Sequence, residues 1–398
     1  MKKRVLWMGL ALLLIVPAGC RKSGEPERVY ERKYLKVIKE ARKEAFYYMV
    51  RNFVPGGSIA LSIDGELVWS EGMGQASTDL EVPATRFTKY RMGEISQVLT
   101  SLGYLRMAEA GLLDPDAEVR VYLPNFPEKQ YPLALHHLAD HCSGIRPPTN
   151  EEKYARGLNG SLEQSINFFS GDTLLFPPGN YQLPTMYNFN LLGRIMEKTA
   201  EESFSKVIKK WVTDTLGLKN TVPDDPLITI KGRSDFYDRN LVAQTINAVT
   251  LDLRYRLPSD GYLSTAEDLV RLGNALLTSP LLSDPTRQHM FTAPLINNEF
   301  NGNFGKGLLY LRNREGRNFY AAKGNIRGSG ALLLIFPDEK MVLGWMTNLS
   351  DEGEELPGLL ITSLFREFLA GDDGKVEAPA QRKDKQGRKD SSEENTDE

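Results

Sequence analysis

Residues able to do chemistry concentrate in one stretch, Arg91-Met92-Gly93-Glu94-Ile95-Ser96-Gln97-Val98-Leu99-Thr100. It opens an apolar run from Gln97 to Ala110 that reads as a buried helix stopped by Gly111. Glu94 offers a carboxylate at the start of that helix. The positive helix end stabilises its charge and weakens it as a base, so the plainer reading is a cap with Gln97 close by. Ser96 offers a hydroxyl, but one turn further along its own face stands Leu99, not a basic group. Ser96 also points roughly 200° round the helix from Glu94. His136, His137 and His141 fall in the run Leu-His-His-Leu-Ala-Asp-His, which reads as an ordinary helix end. The two cysteines, Cys20 and Cys142, allow neither a disulfide framework nor zinc-type spacing. No metal and no cofactor are expected, and Cys142 reads as a small buried hydrophobe.

The elements that must position these residues follow from periodicity. Tyr34, Leu35, Val37, Ile38, Ala41, Ala45 and Tyr48 recur at helical spacing within a charged segment from about 25 to 53, which predicts an amphipathic helix packed on the domain and stopped by Pro55-Gly56-Gly57. Asp64-Gly65 between two apolar runs predicts a hairpin. Helices are expected over 135–140, 191–199, 266–277 and 359–369, and strands over 310–311, 331–336 and 341–346. Strands come first, helices fill the middle, and strands with a last helix close the chain. That order predicts an antiparallel sheet whose first and last strands are neighbours, with a helical region inserted.

Composition sets outer bounds. The 398 residues, 41% hydrophobic with a net charge of −3, suffice for a sizeable core and give no electrostatic case for nucleic acid as a partner. Lys2, Lys3 and Arg4 precede an apolar segment from Val5 to Val16, too short for a membrane span and of signal-peptide length. Pro17-Ala18-Gly19-Cys20 follows. It resembles the processing site of bacterial lipoproteins, with Pro17 departing from the usual Leu. The organisation expected is a lipoprotein signal peptide over 1–20 with lipidation at Cys20, a linker and helix over 21–44, a main domain over 45–370, and a charged disordered tail over 371–398.

Six segments in order carry a family resemblance: Gly57 to Gly74, Phe87 to Asp116, Leu135 to Ile145, Pro178 to Gly193, Asp260 to Leu269, and Gly324 to Pro337. Together they resemble the β-lactamase-related serine hydrolases, the family of class C β-lactamases, D-alanyl-D-alanine carboxypeptidases and penicillin-binding-protein-like enzymes. The resemblance implies an α/β fold of the α+β type, a β-lactamase/transpeptidase-like antiparallel sheet flanked by helices. It also implies where a serine, a lysine one turn later, a Tyr-x-Asn and a His-x-Gly or Lys-x-Gly should stand. Those places hold Glu94, Gln97, Pro184-Thr185-Met186 and Ala322-Lys323-Gly324. Only the glycine survives. Loss of the nucleophile alone takes about a factor of 10⁶ from the turnover of a serine hydrolase.

The residues expected to line the inherited cleft are Glu94, Gln97, Tyr181, Tyr187, Lys323 and Asn325, with Lys323 placed to pair with Glu94 and plug the site. The function read from the sequence is a catalytically silenced, lipid-anchored protein of the bacterial cell envelope. Its partners are the membrane, through Cys20, and a cell-wall (peptidoglycan) peptide or an envelope protein that it binds or scaffolds. Arg21, where an inner-membrane retention signal has Asp, favours the periplasmic side of the outer membrane in a Gram-negative cell. The alternative is a hydrolase of peptides, esters or amides working through a rearranged centre.

Overall fold

Three apolar segments without polar alternation, Gly56–Ile63, Ser329–Phe336 and Met341–Thr347, can only be strands covered on both faces, and every residue in them is buried. The computed structural model describes residues 27–155, 160–242, 244–280, 282–297, 300–350 and 357–371. The signal segment with Cys20 and all but the first residue of the charged tail lie outside them. Within the described residues the main sheet contains β1 (Val29–Tyr30), β2 (Gly56–Ile63), β3 (Glu66–Ser77), β4 (Val82–Pro83), β5 (Phe304–Gly305), β6 (Leu308–Arg312), β7 (Asn318–Ile326), β8 (Ser329–Phe336) and β9 (Met341–Thr347). Their order is β1-β3-β2-β9-β8-β7-β6-β5, with β4 paired to β3, and every pairing is antiparallel. The first long strand therefore lies beside the last, Ala60 opposite Gly344. Asp64 and Gly65 both take positive φ, +52° and +81°, in the two-residue turn that joins β2 to β3 with the native twist.

Helices cover both faces. On one, α1 (Leu35–Arg51) and α5 (Gly358–Leu369) place Ile38, Ala41, Ala45, Ile361 and Phe365 against Trp69 and Trp345. The other face carries α4 (Ala266–Thr278) and the inserted helical region, where α2 (Ser96–Glu109) and α3 (Met186–Ala200) meet. Nearly all of α2 is buried, the mark of a helix enclosed on all sides. Short strands Tyr90–Arg91 and Val222–Pro223 flank Tyr262–Ser264 in a small separate sheet that leads the chain into α2.

The sheet order and the inserted helices are those expected. Boundaries moved for local reasons. Helix α3 starts at Met186 rather than Leu191, because the Thr185 hydroxyl accepts the Tyr187 N–H at its N-terminus. Helix α1 starts at Leu35, after β1 has tied residues 29–30 to the sheet edge.

Candidate functional site

The chain enters α2 through a tight contact with β7. Gly93 takes φ +54°, and a Cβ on Gly324 would sit 1.8 Å from the Met92 carbonyl oxygen. This back-to-back approach leaves room for no residue but glycine at 324. It also carries the half-buried side chain of Glu94 onto β7, where Oε2 accepts a 2.8 Å hydrogen bond from the Asn325 backbone N–H. The N–H of Glu94 itself also favours the ionised carboxylate. Two backbone N–H groups converging on one oxygen-bearing group is the arrangement of an oxyanion hole. Here the side chain of residue 94 fills it.

The carboxyl of Glu94 is pushed above its ordinary value by burial and by the Asp260 carboxylate; the two backbone donors and Arg256 only partly offset this. Asp260 is held by Arg256, four residues earlier, through both guanidinium edges, with Nε to Oδ1 at 2.6 Å, and both side chains are buried. Sequence reasoning missed this pair. Its only signal was an Arg and an Asp at i, i+4 across Leu-Pro-Ser.

One turn along α2, Gln97 is only 4% exposed and its Oε1 lies 3.2 Å from His141 Nε2. His141 Nδ1 receives the Thr185 backbone N–H at 3.2 Å and the Asn188 amide at 3.0 Å. With Nδ1 accepting, the neutral ring carries its proton on Nε2 and donates to Gln97. Burial lowers the His141 pKa to about 3, so the ring is uncharged at neutral pH. The Phe304 ring packs on His141 with centroids 5.0 Å apart, and Gly307 lies against the Gln97 backbone. Gln97 is thus a neutral amide buried under packed side chains, rather than part of the cleft wall expected.

The remaining candidates are scattered. Pro184 is exposed just before α3, and Met186 is buried in its first turn, so neither brings a hydroxyl or amide to Glu94. Ala322 is buried on the α2 side of β7, and strand alternation puts the exposed Lys323 on the other side, with Ala321. The pairing expected between Lys323 and Glu94 is replaced by the Asn325 amide, because β7 presents its backbone, not that side chain, to α2. The Asn325 side chain is exposed. Tyr187 belongs to the core and not to a cleft: it is fully buried, and its ring stacks on Phe169 at 4.4 Å. Tyr181 is on the surface, edge-on to Phe176. Ser96 is buried, and its hydroxyl accepts the Tyr262 N–H at 3.3 Å.

A cavity of about 490 Å³ lies beside this region, lined among others by His136, His137, Asp140, Cys142 and His289. Among the described residues no group of three or more His, Cys, Asp or Glu side chains has the geometry to hold a metal ion. The His137 Nδ1 accepts the Ala134 N–H, and burial and His136 lower its pKa to about 4. Burial and the Asp140 carboxylate push the Cys142 thiol up to about 12, far from a thiolate. Asp140 is taken by Lys306 at 2.7 Å.

Comparison with known proteins agrees with this architecture. The family model described as Beta-lactamase matches residues 41–361. The serine beta-lactamase-like protein LACTB, mitochondrial, of Mus musculus is 26% identical over 385 residues, covering 72% of this chain and 70% of its own length. Among solved structures, the octameric penicillin-binding protein homologue from Pyrococcus abyssi superposes with a TM-score of 0.72 at 22% identity, over 84% of this chain and 77% of that one. A class C beta-lactamase superposes with a TM-score of 0.70 at 17% identity, over 84% and 97%. With the family model matched over residues 41–361, most of its length, the chain belongs to the β-lactamase-related serine hydrolase family.

Proposed function

We propose that this protein is a catalytically silent member of its family, a lipid-anchored binding or scaffold protein of the cell envelope. The observation that carries the reading is the Glu94 carboxylate seated on the Asn325 amide. An acyl group attacked in this cleft needs those donors for its oxyanion, and a resident carboxylate both takes them and repels the developing charge. Gln97, at the lysine's place, is neutral and committed to His141. Nothing at the Tyr-x-Asn place can shuttle a proton, since Pro184 and Met186 carry no ionisable group. The segment from Lys2 to Cys20 supports export and lipidation. The frame's origin among proteins of cell-wall chemistry supports a wall peptide or an envelope protein as the bound partner, held by contacts that need no turnover.

The test is covalent labelling of the purified protein with a fluorescent penicillin and with a fluorophosphonate, read by intact mass. The expected result is no adduct with either probe. An adduct mapped to one serine would overturn silence and make the protein a hydrolase with a rearranged centre; Ser96 as that serine would also require α2 to rotate from the position described.

A further inference from the structure

Helix α1 has an outer face that its packing does not explain. Its inner face, with Val37, Ile38, Ala41, Ala45 and Met49, is buried on the sheet. At 3.6 residues per turn, Lys36, Lys39, Lys43, Phe46, Tyr47 and Val50 share the opposite face, with the exposed Glu40 at its border paired to Lys43 at 2.9 Å. All six are exposed, Tyr47 by 65% and Val50 by 57%. The stripe is ordered along the axis: its first half is basic and its second half aromatic and apolar. The helix as a whole carries five basic residues and two acidic ones, in a chain whose net charge is −3.

The apolar half continues past the helix. Phe53 is 67% exposed, its carbonyl accepts the Thr245 hydroxyl at 3.5 Å, and the neighbouring Asn52 carbonyl accepts from Arg239. These contacts join the end of α1 to the hairpin formed by Tyr237–Arg239 and Thr245–Asn247. That hairpin carries Leu241 and Val242 at its tip, both openly exposed. Phe46, Tyr47, Val50, Phe53, Leu241 and Val242 thus form one exposed apolar rim beside a basic half-helix. Isolated exposed apolar residues need no explanation; a cluster with a charged border marks a contact surface.

The chain's own path says what covers it. Strand β1 pairs Val29 with Ser70 and Tyr30 with Trp69, so toward its start it runs along β3 toward Gly72 and Gly74. Gly74 lies opposite Gly56, at the level of the turn that follows α1. The first described residue, Glu27, leaves the domain beside the middle of α1, where Arg28 and Arg42 both reach Glu71. From Cys20 to Glu27 the chain can span at most about 25 Å.

We infer that this rim docks on an anionic bilayer surface, with Phe46, Tyr47, Val50 and Phe53 at the level of the headgroups and Lys36, Lys39 and Lys43 over anionic lipid. The inference rests on the proposed lipid anchor at Cys20. A single anchor holds a domain near a membrane without fixing its orientation, and an amphipathic face with a basic border supplies the second contact. Docking through α1 turns the α2 side of the sheet, and Glu94 with it, away from the lipid.

The test uses the full lipidated chain reconstituted in vesicles of phosphatidylethanolamine and phosphatidylglycerol with brominated acyl chains. An environment-sensitive dye is attached at Tyr47→Cys or, as control, at Val121→Cys, an exposed apolar site on the helical region. Buried Cys142 and acylated Cys20 leave the new thiol as the reactive one. Flotation with the vesicles reports the anchor; quenching reports the docking. The expected result is flotation of both, with quenching severalfold stronger at position 47 than at 121, weakened when phosphatidylcholine replaces phosphatidylglycerol. Flotation with equal, weak quenching at both positions overturns the docking and leaves the anchor standing. A chain that does not float overturns the anchor and the docking together. A dye at 47 shielded from water without bromine quenching, more so at higher protein density, overturns the lipid as occupant in favour of a second copy of the chain.

Discussion

At the scale of the residue, Glu94 is a group in conflict. Backbone donors favour its charge, while burial and Asp260 oppose it, and the opposition wins, since its carboxyl is raised above the ordinary 4.5. A carboxyl whose folded pKa is raised contributes its stability below the unfolded value and loses it as pH rises through the folded value. The ionised form is thus a cost at neutral pH. Glu94→Gln keeps an oxygen for the Asn325 N–H and removes the charge facing Asp260. The expected outcome is a urea midpoint above wild type at pH 7, a gain that shrinks as pH falls toward and below 4.5. An equal or lower midpoint at pH 7 would mean that the backbone donors outweigh burial. That residue 94 stands just ahead of a buried helix was legible in the sequence, because the apolar run from Gln97 to Ala110 ends at Gly111. Its partner was not. A lysine next to the motif suggested an ion pair, whereas strand alternation and the glycine contact offered a main-chain amide. The same limit hid the buried pairs Arg91–Asp224, at 2.7 Å, and Lys306–Asp140, since their partners lie far apart in sequence and only the fold joins them.

At the scale of the element, α2 and β7 act as one unit whose contact tolerates no side chain at Gly324. Gly324→Ala forces its Cβ into the Met92 carbonyl, so the strand must shift off the helix start. The expected cost is on the order of 3 kcal/mol or more, read as a lower urea midpoint. An unchanged midpoint would mean that the Gly93 turn adapts freely. Elements with one strong signal were legible. Helices α4 and α5 and the turn at Asp64-Gly65 declared themselves by period and by turn residues. Strand β7 did not stand out, because it mixes buried Phe319, Tyr320 and Ala322 with exposed Asn318, Lys323 and Asn325 at a place where its two faces meet different layers. Tyr187 misled for a related reason: a tyrosine near such a motif suggests a cleft, but in the first turn of α3 it faces the core.

At the scale of the whole molecule, the sheet is the common wall between two hydrophobic layers, and β2 and β9 are its centre. A chain stopped after Phe336 lacks β9 and α5 and exposes the apolar faces of β2 and β8 along a bare edge. Such a truncation is expected to lose cooperative unfolding by circular dichroism and to pass into aggregates; retention of a sharp transition would show that the two halves of the sheet stand independently. The neighbourhood of β2 and β9 also orders events in time. During synthesis β2 and β3 exist almost from the outset, while the strand that completes them is among the last portions made. No partial chain holds a finished sheet, so a growing chain cannot close its central wall until β9, near its end, has been made.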